Sequence, residues 1–287
     1  MHIEDTLIDT PDGQTLAATV FRPAAAPRAA VMLAPATGML RRFYRPFAEY
    51  LAAAGFAVIT YDNRGIGGSL HGQVRDCGAS LVSWGENDMP AVLTRLQALF
   101  PATTYHLVGH SAGGQLIGLM PNAPDLRSVF NFGCSSGSVR NMPMPFRARA
   151  AFFMSVFIPV SNAVFGCARN EWVGMGETLP RHVARQWSEW CRGTGYIRTA
   201  FGREVTRHLY DRLDMPAKWL FAVDDDIATE TNVDDMISVF TAMPSEKMKL
   251  IPQEYGLKEI GHMKFFSRKS QKLWPLALEW LAQHSTH

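Results

Sequence analysis

Along the chain, two kinds of apolar spacing take turns. Near the start, "TLIDT" and "TLAATVF" alternate apolar and polar positions and flank the turn "PDGQ", a pattern that predicts a hairpin. "AAVMLAPA" follows as an unbroken apolar run, as expected for a strand buried on both faces. The period then switches repeatedly. "FYRPFAEYLAAAG" has helical spacing and stops at Gly55; "FAVITYD" predicts a strand; "WGENDMPAVLTRLQALF" predicts an amphipathic helix ended by Pro101. "YHLVGH", "AGGQLIGLM" and "LRSVFNFG" continue as strand, helix and strand. After a break, the rhythm resumes with "AKWLFAVDDD", "NVDDMISVFTAM", "KMKLIPQ" and "LWPLALEWLAQH" as strand, helix, strand and helix. Strands alternating with helices imply an α/β fold with a mostly parallel sheet covered on both faces.

The break covers residues 137–213, which are irregular, aromatic-rich and dotted with Pro and Gly. Ligands in such sheets bind beyond the carboxyl ends of the strands. The expected organisation is therefore a core of residues 1–136 and 214–287 with an inserted cap, 137–213, that roofs the site. Within it lies "AAFFMSVFIPVSNAVFGCA", a charge-free run between Arg149 and Arg169. Its length approaches a membrane span, but Pro159, Ser161 and Asn162 interrupt it. The favoured reading is a buried or pocket-lining hairpin, with a peripheral membrane contact as the lesser alternative.

Composition narrows the function classes. A net charge of +2 gives no electrostatic footprint for nucleic acid, and the loose cluster Arg140, Arg147 and Arg149 reads as a solvated face. None of the four cysteines, Cys77, Cys134, Cys167 and Cys191, forms a Cys-x-x-Cys pair, so neither zinc nor a redox dithiol is signalled. They read as reduced, core-lining thiols. "MHIEDTLIDT" lacks the basic start and apolar core of a signal peptide. A cytoplasmic location is the expectation.

The candidate chemistry centres on "YHLVGHSAGGQLIGLM". A strand that turns directly into a helix bends sharply, exposes the side chain at the apex and needs small neighbours where the two backbones approach. Ser111 occupies that apex, between Gly109 and Gly113. "GCSSG" at 133–137 repeats the same spacing around Ser135, yet Pro143 and Pro145 oppose a helix after it; context selects Ser111. A serine hydroxyl needs a base, and the base an orienting acid. His262 stands in a glycine-flanked loop after the last strand. Of the other histidines, His2, His284 and His287 are near the termini and expected to be solvated. His106 is expected inside its strand and His71 near the pocket mouth. His182 and His208 fall in the cap. His110, beside the nucleophile, is expected to pack or to make a supporting hydrogen bond. The acid is one of Asp224, Asp225 and Asp226 at the end of the preceding strand.

On these residues the chain resembles the α/β-hydrolase superfamily over nearly its whole length. "GHSAGG", "YDNRGIGGS" and "GHMKFF" carry the likeness, which is nearest to predicted hydrolases akin to the serine aminopeptidase and monoglyceride lipase group. The resemblance implies an eight-stranded, mostly parallel sheet, and it implies Asp225 as the acid. One motif departs: where many members have His-Gly after the first buried strand, this chain has "LAPATGM". Pro35 has no N–H, so the oxyanion donors are expected from Thr37 and from Ala112.

The expected function is a serine hydrolase, esterase- or lipase-like, acting on a small and largely apolar substrate. No metal or organic cofactor is called for. The candidate substrate contacts are His110, Phe153, Phe157, Trp172, Trp187 and Met263. Two alternatives stay open: an acyltransferase using the same triad, and a non-catalytic ligand receptor.

Overall fold

Alternation and turn chemistry explain the first edge of the sheet. In the computed structural model, which describes residues 1–285, β1 (His2–Asp9) and β2 (Thr15–Arg22) pair antiparallel from His2↔Arg22 to Asp9↔Thr15. The centre is formed by β3 (Ala30–Ala34), β4 (Ala57–Tyr61), β5 (Tyr105–His110) and β6 (Ser128–Phe132), buried along almost their whole length. A two-stranded ladder, β7 (Cys167–Ala168) with β8 (Leu179–Pro180), lies apart. β9 (Ala217–Ala222) and β10 (Ser245–Leu250) complete an eight-stranded sheet of order β1-β2-β4-β3-β5-β6-β9-β10. All neighbours from β4 to β10 run parallel; only the β1–β2 and β2–β4 pairs are antiparallel.

The helices are α1 (Arg45–Ala53), α2 (Leu81–Ser83), α3 (Met89–Leu99), α4 (Ala112–Gln115), α5 (Phe146–Phe152), α6 (Ile158–Phe165), α7 (Arg181–Cys191), α8 (Glu230–Ile237) and α9 (Trp274–His284). They cover both faces, because the central strands are apolar on both. On one face, Phe47 and Leu51 of α1 and Trp274 and Leu281 of α9 pack against Val31, Leu33 and Val58. On the other, Val92 and Leu96 of α3 and Val233 and Met236 of α8 share a core with Met32, Ile59 and Trp219.

Three elements differ from the sequence expectation. The helix read from "WGENDMPAV" onward starts earlier, at Leu81, where Ser80 caps it through a capping box, and it passes through a wide π turn at Trp84–Asp88. The helix after Ser111 is cut to α4 and a 3-10 turn, Ile117–Leu119. Glycines weaken it, and Gly118 lies under the Tyr210 ring, where a Cβ would come within 2.4 Å. The charge-free run is not a hairpin. α5 and α6 join through a π turn at Phe153–Phe157 into one helix, Phe146–Phe165. The wide turn falls just before Pro159, so the missing N–H and the ring are absorbed without a break. Between β6 and β9 the chain therefore runs through this long helix, the small ladder and α7, above the carboxyl ends of the strands.

Candidate active site

β5 ends at His110 and the next residue turns the chain. Ser111 has φ 48° and ψ −115°, a sparsely populated conformation for a residue with a side chain. Its amide donates to the Phe132 carbonyl at 3.1 Å, which ties the bend to β6. The small residues are needed as the sequence suggested: a Cβ on Gly113 would sit 2.1 Å from the Ala34 carbonyl oxygen, and one on Gly109 would sit 2.6 Å from the Gly114 nitrogen.

β9 delivers the two acids that handle the last loop. Asp225, buried, accepts from His262 Nδ1 at 2.8 Å through Oδ2; its Oδ1 accepts the amides of Ile227 and Ala228, both at 2.8 Å. Burial pushes the Asp225 carboxyl up, but the His262 charge and hydrogen bond together with the two amides outweigh it and hold the group below its ordinary range. Asp224 is exposed. It accepts the amides of Ile260 at 2.8 Å and Gly261 at 3.1 Å, and so fixes the backbone just before His262. Gly133, at φ 59°, lets the β6 end press against the pair: a Cβ there would lie 3.3 Å from the His262 ring and 3.5 Å from Asp225 Oδ2.

A buried relay runs underneath. The Ala36 amide donates to Tyr44 Oη at 2.8 Å, Tyr44 Oη lies 2.9 Å from His110 Nδ1, and His110 Nε2 lies 3.0 Å from the His262 carbonyl. The carbonyl only accepts, so the His110 proton sits on Nε2 and Nδ1 accepts from Tyr44. Burial, reinforced by the nearby His262, pushes the His110 pKa down to about 3 and keeps the ring neutral. His110 is fully buried and takes no part in the cavity wall, so it is corrected from a substrate contact to a support beneath the loop.

A cavity of about 940 Å³ opens over the bend. Ser111, His262 and Thr37 line it, together with Phe153, Phe157, Trp187 and Met263. Trp172 is not among its lining residues; it is 61% exposed on the outside and stacks edge-on against Phe165. Gln115, Cys191 and Arg149 are the other polar lining groups, and the remainder is mostly Met, Phe, Ala and Gly. Burial pushes the Cys191 thiol up to about 12, so it is a neutral wall. The Thr37 and Ala112 amides donate no hydrogen bond among the described residues; Thr37 lines the cavity, whereas Ala112, buried directly after Ser111, is not among its lining residues. The Ser111 hydroxyl likewise has no side-chain partner among the described residues. Contacts of this kind often tighten only when substrate is bound.

The remaining sequence candidates fall elsewhere. Ser135 is buried, and its hydroxyl accepts from the Gly137 amide. His71 is exposed, bonded to the Thr15 carbonyl and away from the cavity. His106 is buried in β5 against Ser128. His284 is half-buried with its ring on Trp280 rather than solvated, and His287 lies outside the described residues. The sequence pointed to Asp224 as a candidate acid and not as the anchor of the loop, and the parts played by Tyr44 and Gly133 were missed. Only Asp224 carried a signal, its place beside Asp225.

Comparisons agree with this architecture. No curated protein matches the sequence. Among solved structures, an esterase from Pyrococcus furiosus superposes with a TM-score of 0.63 at 14% identity, covering 99% of this chain and 92% of that one. A thermophilic esterase from Thermogutta terrifontis gives 0.62 at 16%, covering 99% and 100%. An esterase from Exiguobacterium antarcticum gives 0.60 at 14%, covering 97% and 99%. At these identities the likeness is one of fold. The model of the Alpha/beta hydrolase family matches residues 21–266, and with the eight-stranded sheet and the strained bend at Ser111 already described, the chain belongs to that family.

Proposed function

We propose that the protein is a serine hydrolase that cleaves carboxylic esters of apolar substrates through an acyl-enzyme. The observation that carries the reading is the 2.8 Å contact of His262 Nδ1 with buried Asp225 at the wall of a cavity whose floor presents Ser111 on a strained bend. Ser111 Oγ attacks the ester carbon while His262 Nε2 takes its proton. Asp225 holds the ring in the Nδ1–H tautomer and stabilises the imidazolium. The carbonyl oxygen becomes an oxyanion facing the Thr37 and Ala112 amides, each worth about 3 kcal/mol in such sites. His262 returns the proton to the departing alcohol as the C–O bond breaks. Water then repeats the attack on the acyl-serine, gives its proton to His262 and releases the acid, with the proton passing back to Ser111.

The cavity supports the substrate class. Its walls are dominated by Phe, Met and Trp side chains and offer no acidic group to hold a free amine. An acyl or alcohol part rich in carbon gains by leaving water there. The test is fluorophosphonate labelling followed by a p-nitrophenyl ester series of rising chain length. The expected outcome is labelling and turnover in the native chain, both lost in a folded Ser111→Ala variant. Turnover retained by Ser111→Ala, or no labelling of folded native protein, would overturn the proposal.

A further inference from the structure

The outer side of the helix Phe146–Phe165 has no account in the chemistry above. Its inner side is fixed to the protein. Ala150, Met154 and Ile158 are buried, Ser161 Oγ donates to the Cys167 carbonyl, and Asn162 exchanges hydrogen bonds with Arg181 of α7. Those attachments mean that the helix lies along the molecule, although its length and composition would suffice to cross a bilayer. Its outer side is apolar: Phe152, Val156, Val160 and Val164, spaced by four residues, are 60%, 44%, 55% and 66% exposed. Phe165 and Trp172 extend the stripe through their edge-on contact. A continuous exposed apolar face of this kind marks a binding surface.

Two observations identify what covers it. The first is charge. From Gly137 to Val173, the span of the stripe, the chain carries four arginines against one carboxylate, Glu171, which pairs with Arg169, in a protein whose net charge is only +2. Arg140, Arg147 and Arg149 are exposed and form no ion pair among the described residues. Exposed arginines at and just before the start of the helix that carries the stripe complement anionic headgroups above an acyl layer, with Trp172 suited to the boundary between them. The second is continuity. Phe152 and Val173 are exposed and also line the cavity, so the stripe runs directly into the cavity mouth. A second copy of the chain would bring its own arginines against these and repel at this face.

We propose that this face of the cap docks on an anionic lipid membrane, with Phe152, Val156, Val160, Val164 and Trp172 in the headgroup–acyl boundary and the cavity mouth opening onto it. The docking does not rest on the ester chemistry. It is therefore tested on Ser111→Ala protein, by co-sedimentation with vesicles of phosphatidylcholine containing about a quarter phosphatidylglycerol, and with vesicles of phosphatidylcholine alone. Ser111→Ala protein is expected to partition onto the anionic vesicles at least about tenfold more strongly than onto the neutral ones, and to be released by high salt. Adding Val156→Asp with Val160→Asp is expected to lower that partitioning about tenfold or more while leaving Tm and, in the Ser111 background, turnover of a short water-soluble ester unchanged. Arg140→Gln with Arg147→Gln is expected to remove the preference for anionic lipid. No sedimentation with either vesicle, equal binding to both, or equal binding by the double-aspartate variant overturns the proposal. So does a lipid-free dimer, seen by light scattering, that the double-aspartate variant dissolves. Ester turnover lost in the native chain with vesicle binding intact would overturn the proposed chemistry and leave the docking standing.

Discussion

Replacing Tyr44 by Phe removes one oxygen from the buried relay and nothing else of consequence. The ring keeps its edge contacts with Phe43 and Phe266, at 5.1 and 4.8 Å between centroids. What is lost is the acceptor for the Ala36 amide and the donor to His110 Nδ1. Both groups lie where water does not reach, since Tyr44 and His110 are fully buried and Ala36 nearly so. An unsatisfied buried group costs about 1–3 kcal/mol, so the pair costs about 3 kcal/mol. For 287 residues the unfolding entropy near Tm is about 0.6 kcal/mol per degree, which converts the loss to about 5 °C. The consequence reaches the site from two sides. Ala36 precedes the Thr37 amide, and His110 supports the carbonyl of His262. With both released, the proposed base and one proposed oxyanion donor lose their fixed separation, and kcat on a short ester is expected to fall about tenfold or more with KM little changed. Calorimetry and steady-state kinetics check the two halves. A Tm shift of less than about 1 °C with unaltered kcat would refute the claim that this oxygen couples the two loops.

Asp225→Asn keeps the amide contacts but presents a side chain that no longer fixes the His262 tautomer; kcat is expected to drop about 10⁴-fold with the fold intact, and a loss under about tenfold in ester turnover would argue against the assignment. Acid lability follows from two buried rings. Burial lowers the His110 pKa to about 3 and the His106 pKa to about 4, both below the ordinary 6.5. The unfolded chain therefore binds more protons, so their stabilisation is complete above pH 6.5 and is lost as the pH falls. Each ring removes about 2 kcal/mol by pH 5, while the Asp88 carboxyl, which burial raises to about 7, adds about 2.5 kcal/mol over the same range, so denaturant titrations are expected to show a net loss of about 1.5 kcal/mol between pH 7.5 and 5. A flat profile over that range would contradict the buried neutral assignment.

The parts of the molecule that were legible are those decided by neighbours in the chain. Alternation gave the β1–β2 hairpin, an unbroken apolar run gave β3, and the strand–helix rhythm gave β4 to β6, because burial on one or two faces imposes those patterns directly. Gly109 and Gly113 marked the bend because the clash they avoid is between a strand and the turn that follows it. His262 was readable from its place after the last strand; Asp225 needed the family likeness, since three adjacent carboxylates look alike in sequence. The relay was not legible. It joins Tyr44 to His110 and His110 to His262, contacts between residues 66 and 152 apart, and tyrosines and histidines carry no periodicity that announces a partner. The long helix Phe146–Phe165 was misread because Pro159 ordinarily ends a helix; the π turn ahead of it is a three-dimensional remedy. Trp172 was misplaced for a related reason: an aromatic residue in a cap can face inward or outward, and composition does not distinguish the two.

The adjacent aspartates at the end of β9 grip one loop in two ways, Asp225 by the imidazole and Asp224 by the main chain at Ile260 and Gly261. The landing point of the ring is thus dictated by a central strand, not by the route taken from Ile251 to Glu259. Within that stretch Pro252 is buried and Tyr255 and Leu257 pack on the core, which leaves the exposed positions Gln253, Glu254 and Lys258 open to new surface chemistry. Substitutions at those three positions should be the gentlest way to re-engineer the molecule, since the imidazole would come back to the same berth each time.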